Sequence, residues 1–298
     1  MKLEFFSSSF FEMGDDILIF KISFTKIFNR FVFVRILYIW SMIRSDPFGN
    51  KLFLKRMLFT TIGWLTWARY TRRNKIQISG TENLKHLANT NVLFVSNHQT
   101  YFAEVIAMLH VFCSVKHGYE NSINRPWYLF RPRVNTYFVA AEETMKSGIL
   151  PKIFAYAGSV SIQRTWRDAG TDINRKVRME DLSNIGLALK DGWVINFPQG
   201  TTKVYAKGRR GITLLVKKFN PIVIPVVIDG FREAFDGKGL VLKQKGGQLS
   251  IKFKSPLQFD VDESGDSILE KIMFAIEQTD EFFVAAKALD EQQIEKAV

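Results

Sequence analysis

A short apolar segment ends in a polar turn that carries two side chains able to do acid–base chemistry. Residues 91–96 are typical of a buried strand, and His98 lies two residues after them. Open α/β sheets place functional groups at this end of a strand, because the loop presents them to a crevice. If a helix begins near Thr100, the Glu104 carboxylate can reach back to the imidazole and orient it as a general base. Alternatively, His98 only caps the turn.

A second predicted strand further along the chain also ends in a polar turn. It begins at Trp193 and reads Trp-Val-Ile-Asn-Phe, followed by Pro-Gln-Gly-Thr-Thr. Gly200 permits close backbone approach, and the N–H groups of Gly200, Thr201 and Thr202 could line an anion site. The alternative is a plain turn between a strand and a loop.

Four segments in sequence order resemble the motifs of the glycerolipid acyltransferases, the PlsC-type lysophosphatidic acid acyltransferases. They are Asn97-His98, Gly-Ser-Val-Ser-Ile-Gln-Arg at 158–164, Phe-Pro-Gln-Gly-Thr-Thr at 197–202 and an apolar run with a Val-Ile-Pro-Val core at 222–228. The resemblance implies an α/β fold with a mixed, mostly parallel sheet flanked by helices. It also implies that His98 is the catalytic base and that Asn97 belongs to the substrate site.

The sequence departs from the family's motifs at three positions. The family's Asp would fall on Ala103, so the acid that orients the base must be Glu104, which is one methylene longer. Gln199 replaces a motif Glu, and Thr202 replaces a motif Arg. Gln199, Gly200, Thr201 and Thr202 are therefore expected to bind substrate or phosphate with less charge than the family's motif.

Basic side chains in two places could bind a phosphate group. Arg164 matches the family's phosphate-binding arginine, and an arginine at a strand end suits bidentate contact with an oxyanion. It could instead form a structural ion pair. Arg209 and Arg210, in a stretch similar to the family's basic glycine-containing segment, could restore the cation missing at Thr202. A run of charges is more often a solvated face.

The charge distribution favours a membrane surface over a nucleic acid as the partner. The net charge is +12, and residues 1–80 hold 13 Lys and Arg against 5 Asp and Glu in the most aromatic and apolar part of the chain. Basic and apolar residues together suit an anionic lipid surface, whereas nucleic-acid modules set basic residues on a polar face.

A single cysteine, Cys113, excludes an internal disulfide. The four histidines lack metal-ligand spacing, so we expect neither a metal nor a cofactor.

Two N-terminal apolar segments predict a membrane-associated helical pair. In residues 17–43 a basic residue recurs every four or five positions, which is helical spacing but too charged for a transmembrane span. Residues 52–68 carry Trp64 and Trp67 near their end, and tryptophan suits the headgroup level. Alternatively, both segments only pack on the globular domain. Acidic residues near the start argue against a signal peptide, so we expect attachment to the cytoplasmic face of the cell membrane.

The rest of the pattern predicts three regions: membrane-interface helices over 1–74, an α/β domain over 75–262 and a C-terminal helix over 263–298 without evident chemistry. Within the domain we predict strands at 137–141, 160–164, 193–197 and 222–228, and helices at 100–113, 146–157, 174–190 and 211–219. A hairpin around Gly246 and Gly247, within residues 240–254, is expected at a sheet edge.

The motifs together predict a membrane-associated O-acyltransferase. By the resemblance, it would move a fatty acyl chain from acyl-CoA or acyl carrier protein to a lysolipid, by default 1-acyl-sn-glycerol 3-phosphate in phospholipid biosynthesis. Without the motif Glu and Arg, another lysolipid such as an amino-acid lipid stays open. A catalytically silent lipid-binding protein of the same fold is the main alternative, and a basic nucleic-acid-binding protein is the third.

Overall fold

The computed structural model describes residues 44–133, 135–146, 148–164, 167–168, 171–172 and 177–297. The chain divides into two compact units, Met1–Leu54 and Lys55–Val298. In the first unit Asp46 organises a turn, because its Oδ1 accepts hydrogen bonds from the Phe48 and Asn50 backbone N–H groups at 3.0 and 2.9 Å. The division into membrane-interface helices, an α/β domain and a C-terminal helix stays a prediction.

Helices and strands alternate along most of the second unit. The helices are α1 (Leu52–Thr71), α2 (Ala103–Lys116), α3 (Glu142–Lys146), α4 (Ile149–Tyr156), α5 (Met179–Asp191), α6 (Gly211–Phe219), α7 (Phe231–Ala234), α8 (Gly265–Ala275) and α9 (Asp280–Ala297), with 3₁₀ turns at Thr81–Leu84 and Pro126–Phe130. The strands are β1 (Lys75–Ser79), β2 (Val92–Ser96), β3 (Thr136–Ala141), β4 (Ser159–Ile162), β5 (Arg167–Asp168), β6 (Thr171–Asp172), β7 (Trp193–Asn196), β8 (Ile222–Asp229) and β9 (Gln248–Phe253).

Seven strands form one sheet in the order β1-β9-β8-β2-β7-β3-β4. The five strands from β8 to β4 are mutually parallel, β9 runs antiparallel to β8, and β1 runs parallel to β9. The predicted mixed, mostly parallel sheet flanked by helices is thus confirmed. Parallel strands end at a common edge, so the loops after β2, β4 and β7 come together there.

The central strands are apolar because helices cover both faces of the sheet. Every residue of β2 and β7 is buried, which explains their continuous apolar runs. The Phe94 ring lies 4.3 Å from Phe112 of α2 and 5.2 Å from Trp193 of β7, centroid to centroid. This aromatic core fixes β2 against α2, and with it the turn that joins them.

Residues 55–71 of α1 pack against the α/β core through buried polar contacts. The Tyr70 hydroxyl donates to the Ala103 carbonyl at 2.8 Å, at the first residue of α2. His110 is fully buried between Thr66 and Tyr128, with its ring nitrogens 3.1 and 2.9 Å from their hydroxyl oxygens. Burial lowers the pKa of His110 to about 3, so the ring is neutral and acts as a structural link.

The first predicted N-terminal helix, residues 17–43, lies outside the described residues, and the second is α1. The Trp67 indole donates to the Ile123 carbonyl at 2.7 Å, so this side of α1 faces protein, whereas Trp64 and Leu65 are exposed. None of the helices in the described ranges is long and apolar enough to cross a bilayer. The membrane role of this region stays a prediction.

The hairpin predicted within residues 240–254 is wrong. Only β9 is a strand there, and it lies between β1 and β8 rather than at an edge. The preceding residues fold into a turn because the Asp236 carboxylate accepts the Leu240 and Val241 N–H groups at 2.7 and 2.8 Å. The Asn74 side chain accepts the Gly247 N–H at 3.0 Å, where the hairpin turn was expected.

Candidate active site

His98 and Glu104 are in contact at the carboxyl end of β2. The His98 Nδ1 lies 2.7 Å from the Glu104 Oε1, and the Glu104 side chain is fully buried in the first turn of α2. The same oxygen accepts the backbone N–H groups of Gln99 and Thr100 at 2.9 and 2.8 Å, and Oε2 accepts the Thr100 hydroxyl. The turn between β2 and α2 therefore wraps its donors around one carboxylate.

These donors keep Glu104 ionised despite its burial. Burial alone would raise the pKa of Glu104, but the hydrogen bonds from His98 and Thr100 outweigh it and hold the pKa below its usual value. An ionised carboxylate only accepts hydrogen bonds, so the His98 Nδ1 carries the proton. Nε2 is then the basic nitrogen, which is the tautomer that a general base needs.

A cavity of about 330 Å³ opens beside His98 at this edge of the sheet. Its apolar lining residues include Phe102, Val105, Phe138, Met145, Leu182, Ile185, Ile212 and Leu215. Its polar lining residues include His98, Arg164, Asp181, Thr201, Thr202, Arg209 and Arg210. The Phe197 ring stacks on His98 with centroids 3.9 Å apart and limits how the imidazole can rotate. Such a cavity fits a ligand with an apolar chain and a polar, anionic end.

The turn after β7 lines the cavity with Gly200, Thr201 and Thr202. Gly200 has a φ of +64°, in the left-handed region that favours glycine, and its own N–H donates to the Phe197 carbonyl at 2.9 Å. The N–H groups of Thr201 and Thr202 donate to no acceptor within the described part of the chain. The predicted anion site therefore has two N–H groups available, while that of Gly200 closes the turn.

Two predicted substrate-binding residues support loops instead of lining the cavity. The Asn97 amide donates to the Ile228 carbonyl at 2.9 Å and accepts the Ile228 N–H at 2.8 Å, which fixes the end of β2 to β8. The Gln199 amide donates to the Ala206 carbonyl at 2.9 Å and to the Gln278 Oε1 at 3.1 Å. Both side chains are buried, so they shape the site from behind.

All three predicted arginines line the cavity, and two of them face carboxylates. The Arg164 Nη1 lies 3.5 Å from the Glu143 Oε2. The Arg210 Nη2 lies 3.0 Å from the Asp266 Oδ1, although both side chains are largely exposed. Asp181, which the sequence did not single out, adds a buried carboxylate to the lining and accepts the Gln163 N–H at 3.0 Å. Negative side chains thus offset part of the positive charge.

Gln278 is a positioning residue that sequence reasoning missed. It lies between α8 and α9, and its Oε1 accepts both the Gln199 side chain at 3.1 Å and the Tyr205 N–H at 2.9 Å. Tyr205 has a φ of +53°, which is uncommon for a residue with a side chain. Gln278 therefore holds both ends of the loop from 199 to 205. It lies 79 residues from Gln199, so no local pattern points to it.

Gln278→Ala is expected to lower acyl transfer by about tenfold in a folded protein. The substitution leaves two donors of the 199–205 loop without their acceptor, and an unmade buried hydrogen bond costs about 1–3 kcal/mol. Gln278→Glu keeps an acceptor at the same place and should restore most of the rate. Steady-state kcat and KM of the two variants, with melting curves, check this expectation. Equal activity of Gln278→Ala and wild type would contradict it.

The chain was compared with solved structures, curated proteins and family models. Among solved structures, one similar chain is the 1-acyl-sn-glycerophosphate (LPA) acyltransferase PlsC from Thermotoga maritima, with 18% sequence identity and a TM-score of 0.47. That match covers 82% of this chain and 86% of the other. The comparison with curated proteins gave no match. The model of the acyltransferase family matches residues 75–229, just over half of the chain and the part that holds the His98 site. This confirms the resemblance seen in the motifs: the chain belongs to the acyltransferase family.

Proposed function

We propose that this protein is a membrane-associated O-acyltransferase that moves a fatty acyl chain from acyl-CoA or acyl carrier protein to the hydroxyl of a lysolipid. The observation that carries the proposal is the His98–Glu104 pair, with Nδ1 and Oε1 2.7 Å apart, beside a cavity lined by apolar side chains and three arginines. The apolar side chains suit an acyl chain, and the arginines suit an anionic headgroup or a donor phosphate.

In the proposed mechanism, His98 acts as a general base. Its Nε2 takes the proton from the lysolipid hydroxyl while that oxygen attacks the thioester carbonyl. Glu104 stabilises the imidazolium that forms, and we assign the N–H groups of Thr201 and Thr202 to the anionic oxygen of the tetrahedral intermediate. When the tetrahedral intermediate collapses, the C–S bond breaks and the leaving thiolate receives the proton from His98.

The experiment that tests this function uses the purified full chain with labelled acyl-CoA or acyl carrier protein and a panel of lysolipids. We expect a labelled diacyl product with at least one acceptor, and a rate about 10²–10⁴-fold lower with His98→Ala. The silent lipid-binding alternative predicts lysolipid binding without transfer from any donor. The contact between Glu104 and His98 argues against it, because the acid that is shifted by one position still reaches the base.

The charge of the cavity bears on the headgroup of the acceptor. A phosphomonoester carries close to two negative charges at pH 7 and is normally bound by more than one fixed cation. Arg164 faces Glu143, and Asp181 adds a further carboxylate. Arg209 lines the cavity and is held close to the 197–202 turn, because its backbone N–H donates to the Pro198 carbonyl at 2.9 Å. Arg209 is therefore the cation we assign to the place of the missing motif arginine, with 1-acyl-sn-glycerol 3-phosphate as the default acceptor.

Arg209→Ala is expected to raise the KM for lysophosphatidic acid by about tenfold and to spare the KM of the acyl donor, because a charged hydrogen bond contributes about 1.5–3 kcal/mol. Arg178→Ala, which removes an exposed arginine paired with Glu180, is the matched control. If Arg209→Ala does little, an amino-acid or zwitterionic lysolipid should be the better substrate, and Thr202→Arg should shift preference towards the phosphate. Strong activity on lysophosphatidic acid that is unaffected by Arg164→Ala, Arg209→Ala and Arg210→Ala would contradict both the phosphate-binding role of Arg209 and the preference for a less anionic headgroup.

A further inference from the structure

An exposed cluster of rings lies on the outer side of α1 and the neighbouring 3₁₀ turn. Trp64 of α1 contacts Phe130 with ring centroids 5.4 Å apart, and Phe130 stacks on Trp127 at 6.0 Å. Trp127 and Phe130 are each 63% exposed, Trp64 is 39% exposed, and Leu65 beside it is 71% exposed. These four residues are called the aromatic surface. Large apolar side chains that contact one another yet stay in water are typical of an interaction site.

The two elements that carry the aromatic surface are firmly joined. The Thr60 hydroxyl donates to the Leu129 carbonyl at 2.7 Å, and a Cβ on Gly63 would lie only 2.4 Å from the Leu129 Cδ2. Tyr128 and Leu129 are fully buried, whereas Trp127 and Phe130 face outward. Residues three apart lie on the same side of a 3₁₀ turn, so this sequence buries its middle and exposes both rings. The exposure of the rings is therefore built into the fold.

The two segments that carry the aromatic surface are basic. Residues 55–73 and 125–133 contain eight Lys and Arg and no Asp or Glu. Arg125, Arg131 and Arg133 on the 3₁₀ side are exposed, and so is Arg72 on the α1 side. Tryptophan has an apolar ring with one polar N–H and suits the interface of a bilayer. Phe130 adds apolar area, and the exposed arginines of both segments attract anionic lipid.

We propose that the aromatic surface binds the interface of an anionic lipid bilayer, with Trp127 and Phe130 inserted among the headgroups. The proposal extends the membrane contact to residues 125–133, which the motifs and the N-terminal apolar segments did not include. It rests on the proposed function in one respect, since a lysolipid acceptor brings the enzyme to a membrane. A bilayer fits better than a protein partner because both segments expose arginines and contain no acidic residue, which complements a uniformly anionic surface.

The test compares the full chain with Trp127→Ala/Phe130→Ala in co-sedimentation with vesicles of phosphatidylcholine mixed with phosphatidylglycerol. We expect the double variant to bind the vesicles at least about tenfold more weakly, because two rings that would be buried in the bilayer interface are removed. Phe274→Ala, which removes a 52% exposed ring on α8, is the matched control and should bind like wild type. Arg125→Glu/Arg131→Glu should weaken binding to these vesicles and leave binding to pure phosphatidylcholine unchanged. Equal vesicle binding by wild type and the Trp127/Phe130 variant would overturn the proposal.

Two further measurements separate this proposal from others. Acyl transfer to a short-chain lysolipid in vesicle-free solution should be the same for wild type and the Trp127/Phe130 variant, because neither residue lines the cavity. The wild type could bind vesicles without transferring an acyl group, while the double variant binds vesicles weakly. In that case the proposed function fails, and the proposal that the aromatic surface binds lipid is supported. If light scattering without lipid shows a dimer that the double variant abolishes, with unchanged vesicle binding, the surface joins two copies and the proposal fails.

Discussion

His98→Ala is expected to lower the rate of acyl transfer by about 10²–10⁴-fold, the usual contribution of a general base. The folded structure should survive the change. His98 lines the cavity with 14% of its side chain exposed, and Glu104 keeps three other donors, the Gln99 and Thr100 N–H groups and the Thr100 hydroxyl. No buried charge is therefore left without partners. Turnover of the purified variant with a saturating acceptor measures the effect.

The matched control is His86→Ala, which removes an exposed histidine within the same domain. We expect it to retain wild-type turnover. Lysolipid binding by His98→Ala, measured separately, should change little, because a general base acts mainly in the transition state. Near wild-type turnover of His98→Ala would refute the catalytic role of this residue.

The buried parallel strands were the part of the fold that the sequence predicted best. Strands β2, β7 and β8 match their predicted segments to within one residue at each end, and α6 matches at 211–219. A strand covered on both faces reads as an unbroken apolar run, so packing and sequence pattern coincide there. α2 was predicted to start near Thr100, but it starts at Ala103 because residues 97–102 wrap around the Glu104 carboxylate.

Long-range polar contacts were the part that the sequence could not predict. Amide side chains both donate and accept, so the residue type at Asn97 and Gln199 does not say whether the side chain faces a ligand or a loop. The structure turns Asn97 towards Ile228 and Gln199 towards Gln278, partners that are 131 and 79 residues away. The predicted hairpin around β9 was wrong for a similar reason. The neighbours of β9 in the sheet, β1 and β8, come from distant parts of the chain.

Glu104→Gln is expected to lower turnover by roughly 10²-fold or somewhat less, with little change in lysolipid binding. The new amide cannot turn its NH₂ towards His98, because Oε1 accepts the Gln99 and Thr100 N–H groups and an NH₂ there would face two donors. Its Nε2 can instead donate to the Thr100 hydroxyl. The His98 tautomer is then kept, and only the negative charge beside the developing imidazolium is lost. A buried hydrogen bond to a charged group contributes about 1.5–3 kcal/mol, which sets the expected factor.

Glu104→Ala and pH-dependent unfolding separate this charge from simple packing. Glu104→Ala should be less stable than Glu104→Gln, because it leaves the buried N–H groups of Gln99 and Thr100 without acceptors.

The lowered pKa of Glu104 means that its carboxylate stabilises the fold above the pKa of an unfolded glutamate, about 4.3, and that this stability is lost as pH falls through the folded pKa. Glu104→Gln should remove that part of the acid sensitivity, which unfolding in denaturant at a series of pH values measures. A fully active Glu104→Gln enzyme would mean that another carboxylate stabilises the His98 imidazolium.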